Sequence, residues 1–189
     1  MEPGTRARVV RAASLLMQRQ GYAGTGIKQI AQEARATLGS VYHFFPGGKR
    51  ELAVAAVQHG DEEFAEALRD ALDAHDDPAE AIRALCATLA DGLSDSGWTD
   101  GCPVTTTSLG TAALAPDIQT AAAEAFARWR GLVRDKLRTS GIAEADADEL
   151  AHTVISTLEG AELASQVSRS KEPLEIAGRH LARLVALHR

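Results

Sequence analysis

Residues 21–52, GYAGTGIKQIAQEARATLGSVYHFFPGGKREL, decide the fold. Ile27, Ile30, Ala31 and Ala34 stand at i, i+3, i+4 and i+7, the one-sided apolar face of a short helix. Thr25 or Gly26 is placed to cap it. Arg35-Ala36-Thr37 then leaves room for only a tight turn before a second short helix over residues 38–44, where Val41 and Phe44 form the inward side. Two short helices across a turn of a few residues make a helix-turn-helix. Pro46-Gly47-Gly48 interrupts the chain, and a long helix starts at Lys49 with Leu52, Ala56, Phe64, Leu68 and Leu72 as its core face.

The same periodicity continues in both directions. Upstream, a helix from about Thr5 carries Val9, Ala13, Leu16 and Met17 on one stripe and ends at Gly21. Downstream, Asp77-Pro78-Ala79-Glu80 is a helix start: Asp caps, Pro occupies the first turn, and Glu reaches back. Ile82, Leu85, Cys86, Leu89 and Leu93 are buried along that helix. Residues 94–103 read as loop and 104–113 as a weak helix. Pro116 opens a long helix that ends near Gly141, another spans about 144–169, and Pro173 opens the last with Leu174, Ala177, Leu181 and Leu184. No alternating strand pattern appears, and aromatics are only 4% of the chain. The expectation is an all-α protein of about nine helices.

The net charge of −6 argues against a polyanion partner until its distribution is considered. Residues 1–60 carry Arg6, Arg8, Arg11, Arg19, Lys28, Arg35, Lys49 and Arg50 against Glu2, Glu33 and Glu51, so the surplus of acid lies entirely downstream. A basic end on an acidic body confines polyanion contact to that end. No apolar run is long enough for a membrane span, no signal peptide is evident, and a cytoplasmic address follows. The chain lacks a nucleophile elbow, a phosphate loop and a His-Glu-x-x-His motif, and its six histidines are dispersed, so no catalytic residue, metal site or cofactor is expected. Cys86 reads as a buried, inert thiol. Cys102 lies in a loop, which keeps open a redox-responsive alternative.

Gly-Tyr at 21–22, Thr25, Ile27, Ile30-Ala31, Gly39-Ser40-x-Tyr42-x-x-Phe45 and Lys49-x-x-Leu52, behind an Arg- and Ala-rich helix, are together similar to the helix-turn-helix of the tetracycline-repressor (TetR) family of bacterial regulators. A turn one residue longer than usual at Phe45–Lys49, with Gly101-Cys102-Pro103-Val104, resembles its LmrA/YxaF-type branch. The resemblance implies a DNA-binding domain over 1–48 and an effector-binding and dimerisation domain over 49–189. It implies a repressor bound as a homodimer to near-palindromic double-stranded operator DNA and released by a small-molecule effector. A recognition helix needs short or planar polar groups that approach base edges closely, which Thr37, Gly39, Ser40, Tyr42 and His43 supply. Thr25, Lys28, Tyr42 and Lys49 suit phosphate contacts, although Lys28 also has the reach for a base. Leu38 stands where the branch often has Lys; it either meets a thymine methyl or packs. Arg35 stands where the family commonly has Gly, so a left-handed turn there carries a cost.

The helix over 144–169 is apolar or small on more than one side, so both sides need covering. Family resemblance places the last two helices in a four-helix dimer interface, for which Val154, Leu158, Ala161, Leu181 and Leu184 are the candidates. Candidate effector contacts are Leu85, Leu89, Trp98, Cys102, Thr105, Phe126, Trp129 and Leu158, with Trp98 as a lid because its loop is otherwise polar. Glu159 and Glu162 either attract a cationic ligand or are simply solvated.

Overall fold

The computed structural model describes residues 4–111 and 115–188. Among these the chain forms nine helices and no strand: α1 (Thr5–Gly24), α2 (Ile27–Glu33), α3 (Leu38–Phe44), α4 (Gly48–Asp73), α5 (Pro78–Asp95), α6 (Pro103–Ser108), α7 (Pro116–Thr139), α8 (Glu144–Ser168) and α9 (Glu172–Ala186). The all-α expectation holds. Contacts divide the chain into two compact units, Met1–Glu63 with Cys102–Ala125, and Phe64–Gly101 with Phe126–Arg189. This division is one of packing: the first half of α4, and α6, belong with the N-terminal helices.

In the first unit, α1 is the hub, with α2, α3 and α6 packed on it. Val9, Ala13 and Met17 are fully buried on its inner face. The helix is broken at Gly21, where φ is 69°, and one further turn carries it to Gly24. The missing Cβ also matters at Gly60 of α4, where one would lie 2.6 Å from Pro103 Cγ at the start of α6. Helix α6 is shorter than the expected 104–113, closing at Ser108; residues 112 and 113 of that span lie outside the described residues. In the second unit α5 packs on α9 and α8 packs on both. Asp77 caps α5 as expected, its Oδ1 accepting from the Ala79 N–H at 2.8 Å. Helix α5 continues to Asp95, further than its apolar stripe suggests. Gly178 lets α9 approach α5 closely, a Cβ there falling 2.9 Å from Cys86 Cβ.

Arg35 adopts φ 49°, the left-handed conformation that its place in the α2–α3 turn requires. An L-residue with a Cβ is strained there, and glycine is not. Arg35→Gly is therefore expected to raise unfolding free energy by about 0.5–1 kcal/mol, measured by urea unfolding at fixed protein concentration. A loss of stability instead would mean that the Arg35 side chain contributes more than its backbone costs.

Candidate nucleic-acid interface

The α2–turn–α3 segment is anchored from beneath. Ile30, Ala31, Ala34 and Val41 are buried against α1. Arg8 of α1 donates from Nε to the Ala34 carbonyl at 3.2 Å, placing a cation on the C-terminal end of α2. Phe45, at the C-cap of α3, is 1% exposed, and the Arg6 guanidinium lies over its ring at 5.2 Å. Phe44, expected inward, is instead exposed, with its ring edge-on to His43. Positions i+3 and i+4 from Val41 both suit an inward residue, and the end of α3 turns Phe45 into that place.

The opposite side of α3 presents polar groups to solvent. Thr37 is the N-cap, its Oγ1 accepting from the Ser40 N–H at 3.1 Å and sharing a hydrogen bond with Ser40 Oγ at 2.9 Å. Gly39 and His43 are exposed, Tyr42 is 52% exposed, and Leu38 also lies on the surface. Lys28 of α2 is exposed as well. Lys49, in the first turn of α4, lies over the Tyr22 ring at 4.4 Å, and partial burial draws its ammonium below the usual lysine range. Tyr22 was not among the residues singled out from sequence; Gly21-Tyr22 registered only as part of a spacing pattern. Arg50 forms a two-oxygen ion pair with Asp117 of α7, at 2.7 and 2.8 Å. One residue of the expected contact set has its side chain turned inward. Thr25 is buried, and its hydroxyl donates to the Gly21 carbonyl at 2.8 Å, while Gly26 serves as the N-cap of α2.

The residues expected to meet an effector fall in both units. Cys102 and Thr105 belong to the first, where Cys102 caps α6, its Sγ accepting from the Thr105 N–H at 3.4 Å. In the second unit Leu85, Trp129 and Leu158 are buried, while Leu89, Trp98 and Phe126 are half-buried. Trp129 packs against Phe64 and Phe126, with ring centroids 4.6 and 5.0 Å away. Trp98 has φ 69° directly after Gly97 at 67°, in the loop that follows α5. Burial pushes the Cys86 thiol up to about 11, which suppresses its thiolate.

The residues expected at a dimer seam are largely spent inside the subunit: Val154, Leu158 and Leu181 are buried, and Ala161 and Leu184 half-buried. The opposite side of α8 is open, with Ser156, Gly160, Leu163, Ala164 and Val167 all exposed. Among the described residues no group of His, Cys, Asp or Glu is arranged to hold a metal ion, and no helix is long and apolar enough to cross a membrane.

A short helix, a tight turn and a second short helix with an exposed polar face, set on the basic end of an all-helical chain, define a helix-turn-helix DNA-binding regulator. Two family models match: bacterial regulatory proteins of the tetR family over residues 9–56, and the LmrA/YxaF-like transcriptional regulator C-terminal domain over residues 78–180. The chain belongs to the TetR family, in its LmrA/YxaF-like branch, and is a TetR-type DNA-binding transcriptional regulator. It is 35% identical over 170 residues to the HTH-type transcriptional regulator LmrA of Bacillus subtilis, covering 90% of each chain. Its fold is similar to that of the regulatory protein TetR from Rhodobacter sphaeroides, with a TM-score of 0.84 and 25% identity over 95% of this chain and 97% of that one. It is also similar to CifR, solved as a cysteine mutant in complex with 26-bp double-strand operator DNA, with a TM-score of 0.82 and 20% identity over 97% of both chains.

Proposed function

We propose that this regulator is a repressor that binds a near-palindromic operator as a homodimer and is released by a small-molecule effector. Residues 1–48 act as the DNA-binding domain and 49–189 as the effector and dimer domain. The observation that carries the reading is the α3 surface, where Thr37, Gly39, Ser40, Tyr42 and His43 lie outward over the buried anchor of Val41 and Phe45. Groups of that size and polarity suit base edges in a major groove. Lys28, Tyr42 and Lys49 act as phosphate contacts. The operator complex of CifR, a protein of similar fold, supports the mode of binding.

Dimerisation uses the open side of α8 together with α9. Leu163 is 55% exposed and Val167 78%, and Ile176 and Leu187 of α9 are exposed too. Small residues between them, Gly160 and Ala164, permit close helix approach. A second copy on this face covers apolar surface that one subunit leaves in water. Two-fold pairing sets the recognition helices one helical turn of DNA apart, roughly 34–36 Å.

Gel shift against duplexes flanking the chain's own gene tests the reading. The expected result is binding to a palindrome, with affinity falling steeply as salt rises. Lys49→Ala is expected to weaken binding to specific and unrelated duplexes alike and to reduce the salt slope by about one. Ser40→Ala is expected to lose about 1–3 kcal/mol of discrimination at one base position and leave the slope unchanged. Failure to bind any such duplex would overturn the proposal, and a changed sequence preference in Lys49→Ala would remove its phosphate role.

A further inference from the structure

Arg8, Arg11, Ala12 and Leu15 stand at i, i+3, i+4 and i+7 on one side of α1. They form one wall of a groove of about 270 Å³, whose other wall is the C-terminal end of α2 and the turn after it, Glu33, Ala34 and Arg35. Ala12 and Ala34 are buried and Leu15 half-buried, so the floor is apolar and the rim is charged. Arg8 is fixed in place, its Nε donating to the Ala34 carbonyl at 3.2 Å and its Nη2 to Thr5 Oγ1 at 3.3 Å. Arg11 and Arg35 are exposed, and among the described residues neither side chain makes a hydrogen bond or ion pair. Other cations at this end are engaged within the chain: Arg50 pairs with Asp117, Arg6 lies over Phe45, and Lys49 lies over Tyr22.

Helix α3, LGSVYHF, has no Lys or Arg of its own. A recognition helix is oriented on its duplex chiefly by phosphate contacts, so the cations that orient this one come from its neighbours. Arg35 lies two residues before Thr37, the N-cap of α3, which is no more than about 7 Å of chain. The amino-terminal residues of a recognition helix are the ones that reach base edges, so a cation beside that end lies next to the sugar-phosphate wall of the groove. Arg35 also holds φ 49°, where glycine is unstrained and arginine is not. Among the described residues no internal bond to its guanidinium offsets that strain, so the use of the side chain lies outside the subunit.

We propose that Arg11 and Arg35, on the groove that Arg8 holds in shape, form a clamp on the DNA backbone beside the amino-terminal end of α3. The proposal rests on the DNA-binding reading of α2 and α3 and adds a second set of contacts to those of Lys28, Tyr42 and Lys49. A guanidinium presents a fork of donors that matches phosphate oxygens, which an ammonium does not. The apolar floor supports the arginine stems while their heads stay in solvent. Three arginines against Glu33 leave the groove positive on a chain whose net charge is −6. Phosphate contacts carry no sequence information, so the clamp sets affinity and position and leaves base preference to α3.

The test measures binding of the full-length protein over a salt series to two duplexes, the palindrome selected from the flank of its own gene and an unrelated sequence. Arg35→Gly and Arg11→Gln are each expected to weaken both complexes about three- to tenfold and to lower the salt slope by about one. Arg35→Lys keeps the charge and should keep the slope. Arg35→Gly is also expected to be the more stable protein, so its weaker binding cannot come from unfolding. A second measurement locates the contact, using palindromes that each carry one uncharged methylphosphonate linkage. At least one linkage is expected to weaken wild-type binding and to have no effect on Arg35→Gly. Wild-type affinity and slope in both variants overturn the proposal. So does a loss confined to the palindrome, which would make these arginines base readers, or an identical set of sensitive linkages in wild type and Arg35→Gly. Saturable binding of benzoate that Arg11→Gln abolishes, with DNA binding unchanged in that variant, overturns it in favour of a site for a small acid. Lys49→Ala on the same duplexes separates the two layers. A slope lowered there and unchanged in the arginine variants removes the clamp alone, whereas wild-type protein that binds neither duplex removes the DNA-binding reading itself.

Discussion

Replacing Trp129 with alanine is expected to lower the unfolding free energy by about 3–5 kcal/mol. The indole is fully buried in the second unit, between Phe64, 4.6 Å away at 64°, and Phe126, 5.0 Å away at 40°. Removing it takes away its apolar burial and two aromatic contacts of about 0.5–1.5 kcal/mol each, and leaves a void that the surrounding helices cannot fully close. Net stabilities of such domains are about 5–15 kcal/mol, so the variant approaches the threshold of folding. Urea unfolding at one fixed protein concentration measures the effect, since self-association couples stability to concentration. Trp129→Phe retains most of the packing and should lose markedly less. The experiment also decides what Trp129 is for. A cost below about 1 kcal/mol would identify it as the wall of a cavity that is already open, and therefore as an effector contact. The expected cost makes it packed core.

Fold class and the placing of most helix ends were legible because they rest on local chemistry. Asp77-Pro78 begins α5, Pro173 sits in the first turn of α9, and Gly21 breaks α1, each for reasons confined to a few neighbouring atoms. The left-handed turn at Arg35 was legible only through the resemblance, which sets glycine at that position; the local residues alone do not call for it. Choices between equivalent helical positions were not readable. Phe44 and Phe45 satisfy the same periodicity, and only the packed position of Arg6 and the end of α3 select Phe45. Thr25 suits both a cap and a phosphate contact by composition. Its hydroxyl is instead taken by the Gly21 carbonyl, which the left-handed break in α1 leaves within reach. The same limit governs α8. Val154 and Leu158 have the apolar character of a subunit seam and of a core, and the core takes them. The outward stripe is made partly of glycine, alanine and serine, which carry little hydrophobic signal, so it could be recognised only once the buried side was known.

Glu162→Gln is expected to change how stability depends on pH. Burial raises the folded-state carboxyl from 4.5 to about 8. Between those values the folded chain keeps a proton that the unfolded chain has released, so wild-type stability falls as pH rises through that window. Below it both states are protonated and the group contributes no cost. Above it both are ionised, and the full cost of charging this largely buried group is present. Glutamine has the shape of the protonated form and does not titrate, so this component of the decline vanishes in the variant. Its buried amide adds a penalty of its own, but that penalty is independent of pH and shifts the whole curve. The readout is therefore the difference between the two stability curves, expected to move in favour of the variant by up to about 1.4 kcal/mol per pH unit across the window. Urea unfolding of both proteins at fixed concentration, from about pH 5 to about pH 8, measures it. Parallel curves would show that Glu162 keeps its proton affinity near that of an ordinary carboxyl, through a partner supplied by the second subunit or by solvent.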